Sequence, residues 1–205
     1  MTCLTIPEDG SLIRVFHAVP NAAAVDVYVN DDLVFSNVSF KQFTDYVPLA
    51  EGTYTIRLYA TGTTSPELLS SELTVPLGGI FTAAATGNVD DLQLVLLEDF
   101  DTENFVSRES KFRVVALAPN APALNLEMNG MQIIEGINFR EMTAYAQVPA
   151  NFYIMSVFNA LTNGMVLNFR IQLKENQIST IYILGDLPSL GVLQSIDGSS
   201  YLCNA

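Results

Sequence analysis

The chain has no tryptophan, one histidine (His17), two cysteines and nine basic residues among 205. Each scarcity closes off a class of chemistry. With one imidazole, a Ser-His-Asp arrangement would have to be built on His17. Cys3 and Cys203 stand in no CxxC or His-paired arrangement, so zinc binding and thiol catalysis lack a ligand set. Nine bases against 22 acids leave a net charge of −13. A phosphate backbone would be repelled, which excludes nucleic acid as a partner, and anionic lipid surfaces are disfavoured for the same reason. No apolar run approaches the ~20 residues of a membrane-spanning helix. No Walker loop, GxSxG or HExxH is present. Met1–Asp9 carries neither the basic start nor the apolar stretch of a signal peptide. The compartment stays open between a cell-surface or spore-envelope location and the cytoplasm.

Charged residues make up 15% of the chain, and 49% are hydrophobic, with a mean hydropathy of +0.30. Soluble domains average about 25% charged. The apolar excess belongs either in sheets buried on both faces or on a surface that meets another protein.

No stretch keeps a helical period for three turns. Short apolar runs alternate with turn residues instead, which predicts strands near 12–17, 25–29, 33–36, 45–48, 53–60, 68–75, 81–86 and 92–97. Val25-Asp26-Val27-Tyr28-Val29 alternates, so its three valines share one face. Asn30-Asp31 and Asn129-Gly130 predict tight hairpins, with Asn-Gly the stronger type I′ signal. Short strands separated by turns every 8–12 residues describe a sandwich or barrel, with the sandwich favoured.

The chain also repeats itself. Arg14-Val15-Phe16-His17-Ala18-Val19-Pro20-Asn21-Ala22 returns 99 residues later as Arg113-Val114-Val115-Ala116-Leu117-Ala118-Pro119-Asn120-Ala121. The register holds without a gap to Tyr46 and Tyr145, through Asn30/Asn129, Phe40/Phe139 and Thr44/Thr143. So long a period means two tandem domains rather than a solenoid. The expected organisation is a tail (1–10), a first module (11–99), a linker (100–110) and a second module with a C-terminal tail (111–205). The aromatic linker residues Phe100 and Phe105 predict rings docked at the seam, unlike a free Gly/Ser linker.

The segment Ile13–Val29 resembles the opening of the bacterial family called domain of unknown function 4397. So do Phe40, Tyr46, Ala50-Glu51-Gly52-Thr53-Tyr54 and Tyr59-Ala60-Thr61-Gly62-Thr63. The match is specific in the first module. It is degraded in the second, where Ala116 replaces the His and Asn125 the Asp. The resemblance implies tandem all-β, immunoglobulin-like or transthyretin-like antiparallel sandwiches, often associated with the cell surface or envelope. It implies no activity.

A site that both modules need should recur in both, and no catalytic constellation does; no catalytic residue, metal or cofactor is assigned. The binding candidates are His17, Pro20, Asn21, Asp26, Pro119 and Asn120. Each has a plainer reading. His17 would be a half-buried strand residue whose ring bonds a turn. Pro-Asn-Ala would be a turn, since Pro fixes φ and Asn can bond nearby backbone. Asp26 would pair with Arg14 or Lys41, or bond a loop backbone. The acids at Asp90-Asp91 and Glu98–Glu103 read as a solvated edge, with calcium the weaker reading. Cys3 and Cys203 are two free thiols, a bridge between the chain ends, or a crosslink between copies. The sequence thus supports a non-enzymatic structural or protein-interaction module of a bacterial surface, spore or envelope assembly. Its partner would be a protein, including a second copy in an oligomer or filament. A carbohydrate- or peptide-binding module is the alternative, and a hydrolase with an unrecognised carboxylate pair a third.

Overall fold

The computed structural model describes residues 3–99 and 108–203. The first copy contains β1 (Gly10–His17), β2 (Val25–Val29), β3 (Asp32–Val38), β4 (Val47–Ala50), β5 (Gly52–Ala60), β6 (Glu67–Val75), β7 (Ile80–Asn88) and β8 (Asp91–Glu98). The second contains β9 (Glu109–Leu117), β10 (Leu124–Met128), β11 (Met131–Ile137), β12 (Ala146–Pro149), β13 (Asn151–Asn159), β14 (Met165–Leu173), β15 (Ile178–Asp186) and β16 (Ser189–Ile196). A 3-10 turn follows at Gly198–Tyr201. All eight strands expected of the first copy are present. The fourth begins at Val47 rather than near Asp45, because Thr44 is tied to β1 by its backbone and hydroxyl instead of by a ladder (Thr44 N–H to the Val15 carbonyl, Val15 N–H to the Thr44 Oγ1).

Each copy is a sandwich of two four-stranded sheets. In the first the orders are β4-β1-β7-β8 and β3-β2-β5-β6, and in the second β12-β9-β15-β16 and β11-β10-β13-β14. One pair in each copy departs from the antiparallel expectation: β1 runs parallel to β7, and β9 to β15. Those partners lie far apart in sequence, so no hairpin dictates their direction, and a long crossover permits the parallel pairing. Their burial agrees, since β1 and the first eight residues of β7 are buried on both faces.

The inward faces build one core per copy. Ile13, Val15, Val27, Ile56, Leu58 and Val75 centre the first. Phe112, Val114, Leu126, Met155, Ile181 and Ile183 centre the second. The repeat spacing is 99 from β1/β9 to β5/β13 (Gly52 to Asn151) and 98 from β6/β14 onward (Glu67 to Met165). One residue is therefore missing between β13 and β14. Both hairpins form: Asn30, Asn129 and Gly130 take positive φ, and each Asn side chain also accepts a neighbouring strand's N–H, from Thr55 and Ile154.

The chain divides into two compact units, and Tyr201–Cys203, expected with the second module, group with the first. A parallel bridge pairs Leu4 with Leu202, the Leu4 N–H donates to the Tyr201 carbonyl, and Cys3 is disulfide-bonded to Cys203. Of the expected linker, residues 100–107 lie outside the described residues, including Phe100 and Phe105. Its last two positions differ from expectation, since β9 already begins at Glu109.

Candidate functional site

The strongest recurrent polar constellation is one the repeat alignment reached only in part, at Arg14/Arg113 and Tyr46/Tyr145. In the first unit β1 supplies Arg14, β7 supplies Thr82, the end of β8 leads into Asp99, and Tyr46 precedes β4. The Arg14 Nε donates to the Thr82 Oγ1 at 2.8 Å. Its Nη2 lies 3.5 Å from the Asp99 carboxylate. Tyr46 donates to the same carboxylate at 2.8 Å, and the Thr82 hydroxyl also donates to it. The guanidinium stacks 4.7 Å from the Tyr46 ring and 4.4 Å from that of Phe43.

The second unit repeats the arginine-threonine-aspartate-tyrosine chain of hydrogen bonds. Arg113 donates to Thr180 at 2.9 Å, and Thr180 and Tyr145 donate to Asp197 at 2.7 and 2.6 Å. The Arg113 guanidinium stacks 4.7 Å from the Tyr145 ring. Asp99 and Asp197 are each 0% exposed. Asp99 is thus no part of a solvated acidic edge; the other acids of that run from Asp101 onward lie outside the described residues. Buried, stacked and mutually bonded, the quartet is a fixed polar staple, because removing one partner would strand a charge out of water. A spacing of 98 links Thr82 to Thr180 and Asp99 to Asp197. An ungapped search at 99 stops before both.

The sequence-nominated residues hold backbone. His17 is fully rather than half buried, and its ring does bond a turn: Nδ1 accepts from the Val19 N–H and Nε2 donates to the Ala23 carbonyl, both at 3.2 Å. That assigns the neutral tautomer, and burial pushes the imidazole pKa below its ordinary value. In the second copy Ala116 fills this place without a ring.

Asp26 accepts N–H bonds from Gly62 and Asn37, each at 2.8 Å, and these hold its carboxyl below the usual range. Asn37 has φ 57° in the bulged strand β3. Asn125 does the same for Gly136 (φ 69°) at 2.9 Å. The Asp26/Asn125 position therefore pins a bulge by hydrogen bonding, and needs no charge. Arg14 turns instead to Asp99, and Lys41 to the Phe40 ring at 5.3 Å.

Pro20 and Asn21 form a turn with Asn21 at φ 60°. Pro119 and Asn120 form its counterpart, where Asn120 donates to Asp186 at 2.9 Å. His17 and Asn21 line one cavity of about 180 Å³, and Asp26 is not in its lining. Among the described residues, no group of three or more His, Cys, Asp or Glu is placed to hold a metal ion.

Two features of the surface and core escaped the sequence reading. First, β7 carries Ala83-Ala84-Ala85 where β15 carries Ile181-Tyr182-Ile183. A cavity of about 190 Å³ lies between the sheets of the first unit, with Ala83 in its wall.

Second, the outward face of the β3-β2-β5-β6 sheet changes character in its duplicate. In the first unit it shows Thr53, Thr55, Arg57 and Tyr59, with Glu67 opposite Tyr59. Arg57 pairs with Asp31 and Glu67. In the second it shows Phe152, Ile154, Ser156 and Phe158, with Met165 opposite Phe158. Phe152, Ile154 and Met165 are 48%, 54% and 58% exposed.

The model of the family described as Domain of unknown function (DUF4397) matches residues 11–127 and again 110–200. The chain belongs to this family. It carries two copies of the DUF4397 domain, and each matched segment opens on the first strand of a sandwich, β1 or β9. Comparison with curated proteins finds no significant match.

Among solved structures, the Bacillus anthracis TIE protein is 13% identical with a TM-score of 0.29; the match covers 86% of this chain and 34% of that one. The chain thus spans about a third of the TIE protein's length. A candidate adhesin from Bacteroides ovatus is 9% identical with a TM-score of 0.27, covering 96% and 98%. The fimbrial anchor protein Mfa2 from Porphyromonas gingivalis is 11% identical with a TM-score of 0.23, covering 91% and 97%.

Proposed function

We propose that this DUF4397 protein is a non-enzymatic interaction module of a bacterial surface, spore or envelope assembly, with its second unit carrying the protein-contact face. The observation that carries the reading is the apolar row Phe152, Ile154, Phe158 and Met165 on β13 and β14, set where the first unit has Thr53, Thr55, Tyr59 and Glu67. Two copies of one fold need the same inward residues. An outward face has no folding reason to turn apolar, and burying such side chains against a partner contributes roughly 1.5–3 kcal/mol each. The remaining chemistry is consistent. His17 and Asp26 are committed to backbone, and the two cavities described above, of about 190 and 180 Å³, have no carboxylate in their linings. The Cys3–Cys203 bridge fits an oxidising compartment, where disulfides persist.

The test is mass measurement by light scattering across a concentration series, on the wild type and on the double variant Phe152→Thr/Ile154→Thr. A second copy is taken as the partner, so the wild type gains mass with concentration and the variant stays monomeric with an unchanged far-UV spectrum. A wild type that is monomeric throughout would count against self-association. A peptide added at a sheet edge is the second reading. It is favoured by the edge strand β11, which exposes Met131 and Ile133.

A further inference from the structure

We propose that the first unit is a receptor for a small uncharged apolar molecule, an alkyl chain or a benzene-sized ring, held between its two sheets. The site is the cavity of about 190 Å³ whose wall includes Ile13, Val27, Ile56, Leu58, Leu73 and Ala83. Every lining side chain is apolar. Protein interiors pack to crystal density, and voids larger than a water molecule are few, so a space this large is a departure that calls for a cause.

The cause is local. Ala83 points inward from β7, and its counterpart Ile181 is three carbons larger and sits fully buried in the second core. The neighbouring strands did not grow to compensate: Ile13 and Ile56 stand where the second unit has Phe112 and Met155.

Water is a poor occupant. A buried water needs two to four polar partners, and this wall offers none, whereas an apolar cavity of about 150 Å³ stays dry and takes up benzene or xenon. The lining reaches the surface at Val34, Phe35, Val47 and Leu49, which lie on β3 and β4, an edge strand of each sheet, and are exposed or half-buried. Val34 is 40% exposed there.

The duplicate is an internal control. The counterpart opening of the second unit is about 350 Å³ and is lined by Met128, Ile133, Ile134, Ala146 and Val148 together with Phe112 and the segment Thr143-Ala144-Tyr145. The positions that give the first cavity its depth are there Met155, Val157, Ile171 and Ile181, packed into the core. That opening takes in Thr143 and Tyr145 and leaves out Ile181, so the wholly apolar enclosure between the sheets belongs to the first unit.

The experiment uses the full chain with benzene and 1-hexanol as probes. Thermal unfolding is followed at rising probe concentration, and carbon-13 methyl spectra locate the site. The wild type should show a saturable rise in Tm, with shifts confined to methyls of the first unit, those of Ala83 and Val27 foremost. Ala83→Ile should lose at least tenfold in affinity while keeping its fold. Ile181→Ala, which opens the equivalent depth, should gain a second binding equivalent. Should Ala83→Ile not fold, the wild-type methyl map decides alone. The proposal is overturned by a wild type whose Tm and methyls do not respond near probe saturation, by shifts that map elsewhere, or by undiminished binding in a folded Ala83→Ile.

Discussion

The two units share a backbone and differ in what fills and covers it. Each holds the same staple (Arg14-Thr82-Asp99-Tyr46 and Arg113-Thr180-Asp197-Tyr145), the same pinned bulge and the same asparagine hairpin. They part at β7 and β15, which carry alanines and isoleucines respectively at equivalent core positions, and at β5 and β13, which carry threonines and then Phe152 and Ile154 at equivalent surface positions. Backbone devices and a buried charge tolerate little change, because each unmet polar group costs its full desolvation. Core volume and surface polarity can drift or be selected, so divergence there carries functional information that the retained parts do not.

The largest effect expected is on the staple. Asp99→Ala should cost about 3–5 kcal/mol, since it strands a buried guanidinium, and Asp197→Ala should cost a comparable amount by leaving the Thr180 and Tyr145 hydroxyls without their buried acceptor. Urea unfolding checks this, and unequal losses would break the equivalence of the two copies. Core volume comes next. Ile181→Ala should cost about 2–5 kcal/mol by opening a cavity, whereas Ala83→Ile should be neutral or stabilising, and the two midpoints by calorimetry sharpen or erase the contrast.

A smaller effect concerns pH. Burial lowers the His17 pKa, so the unfolded chain binds the proton more readily; its contribution is complete above about 6.5, the ordinary imidazole value, and is lost as pH falls through the folded value. His17→Ala, the residue of the second copy, should flatten that part of the stability-pH curve. Asp26 has the same sign in the carboxylate range, being stabilising above about 3.9 and less so in acid. Asp26→Asn should remove that acid dependence while keeping one backbone bond, as Asn125 does. The smallest effect on stability is at the surface: Thr53→Phe/Thr55→Ile should change unfolding by roughly 0.5 kcal/mol or less, yet give the first unit an association tendency that light scattering would register.

Much of this was legible in the residues. Alternation such as Val25-Asp26-Val27-Tyr28-Val29 specifies a strand with one buried face, and Asn-Gly specifies a hairpin, because both are local physics. The Asp26-to-Asn125 exchange between the copies removes the charge and keeps a side-chain acceptor, a difference visible in the residues alone. The staple stayed hidden because its members are distant in sequence, as with the 85 positions from Arg14 to Asp99, and because one missing residue between β13 and β14 broke the repeat before Thr180 and Asp197. Asp99, seen among neighbouring acids, reads as solvated, and only packing reveals it as buried.

By itself the sequence determined the all-β class, the duplication, the hairpins and the strand faces, since these follow from side-chain period and turn chemistry over a few residues. The tertiary structure alone decided that Asp99 is buried with Arg14, that Cys3 meets Cys203, that β1 and β7 run parallel, and that Ala83 and Ala85 leave room between the sheets. Those outcomes depend on which strands become neighbours across long loops, and a linear pattern carries no record of that distance.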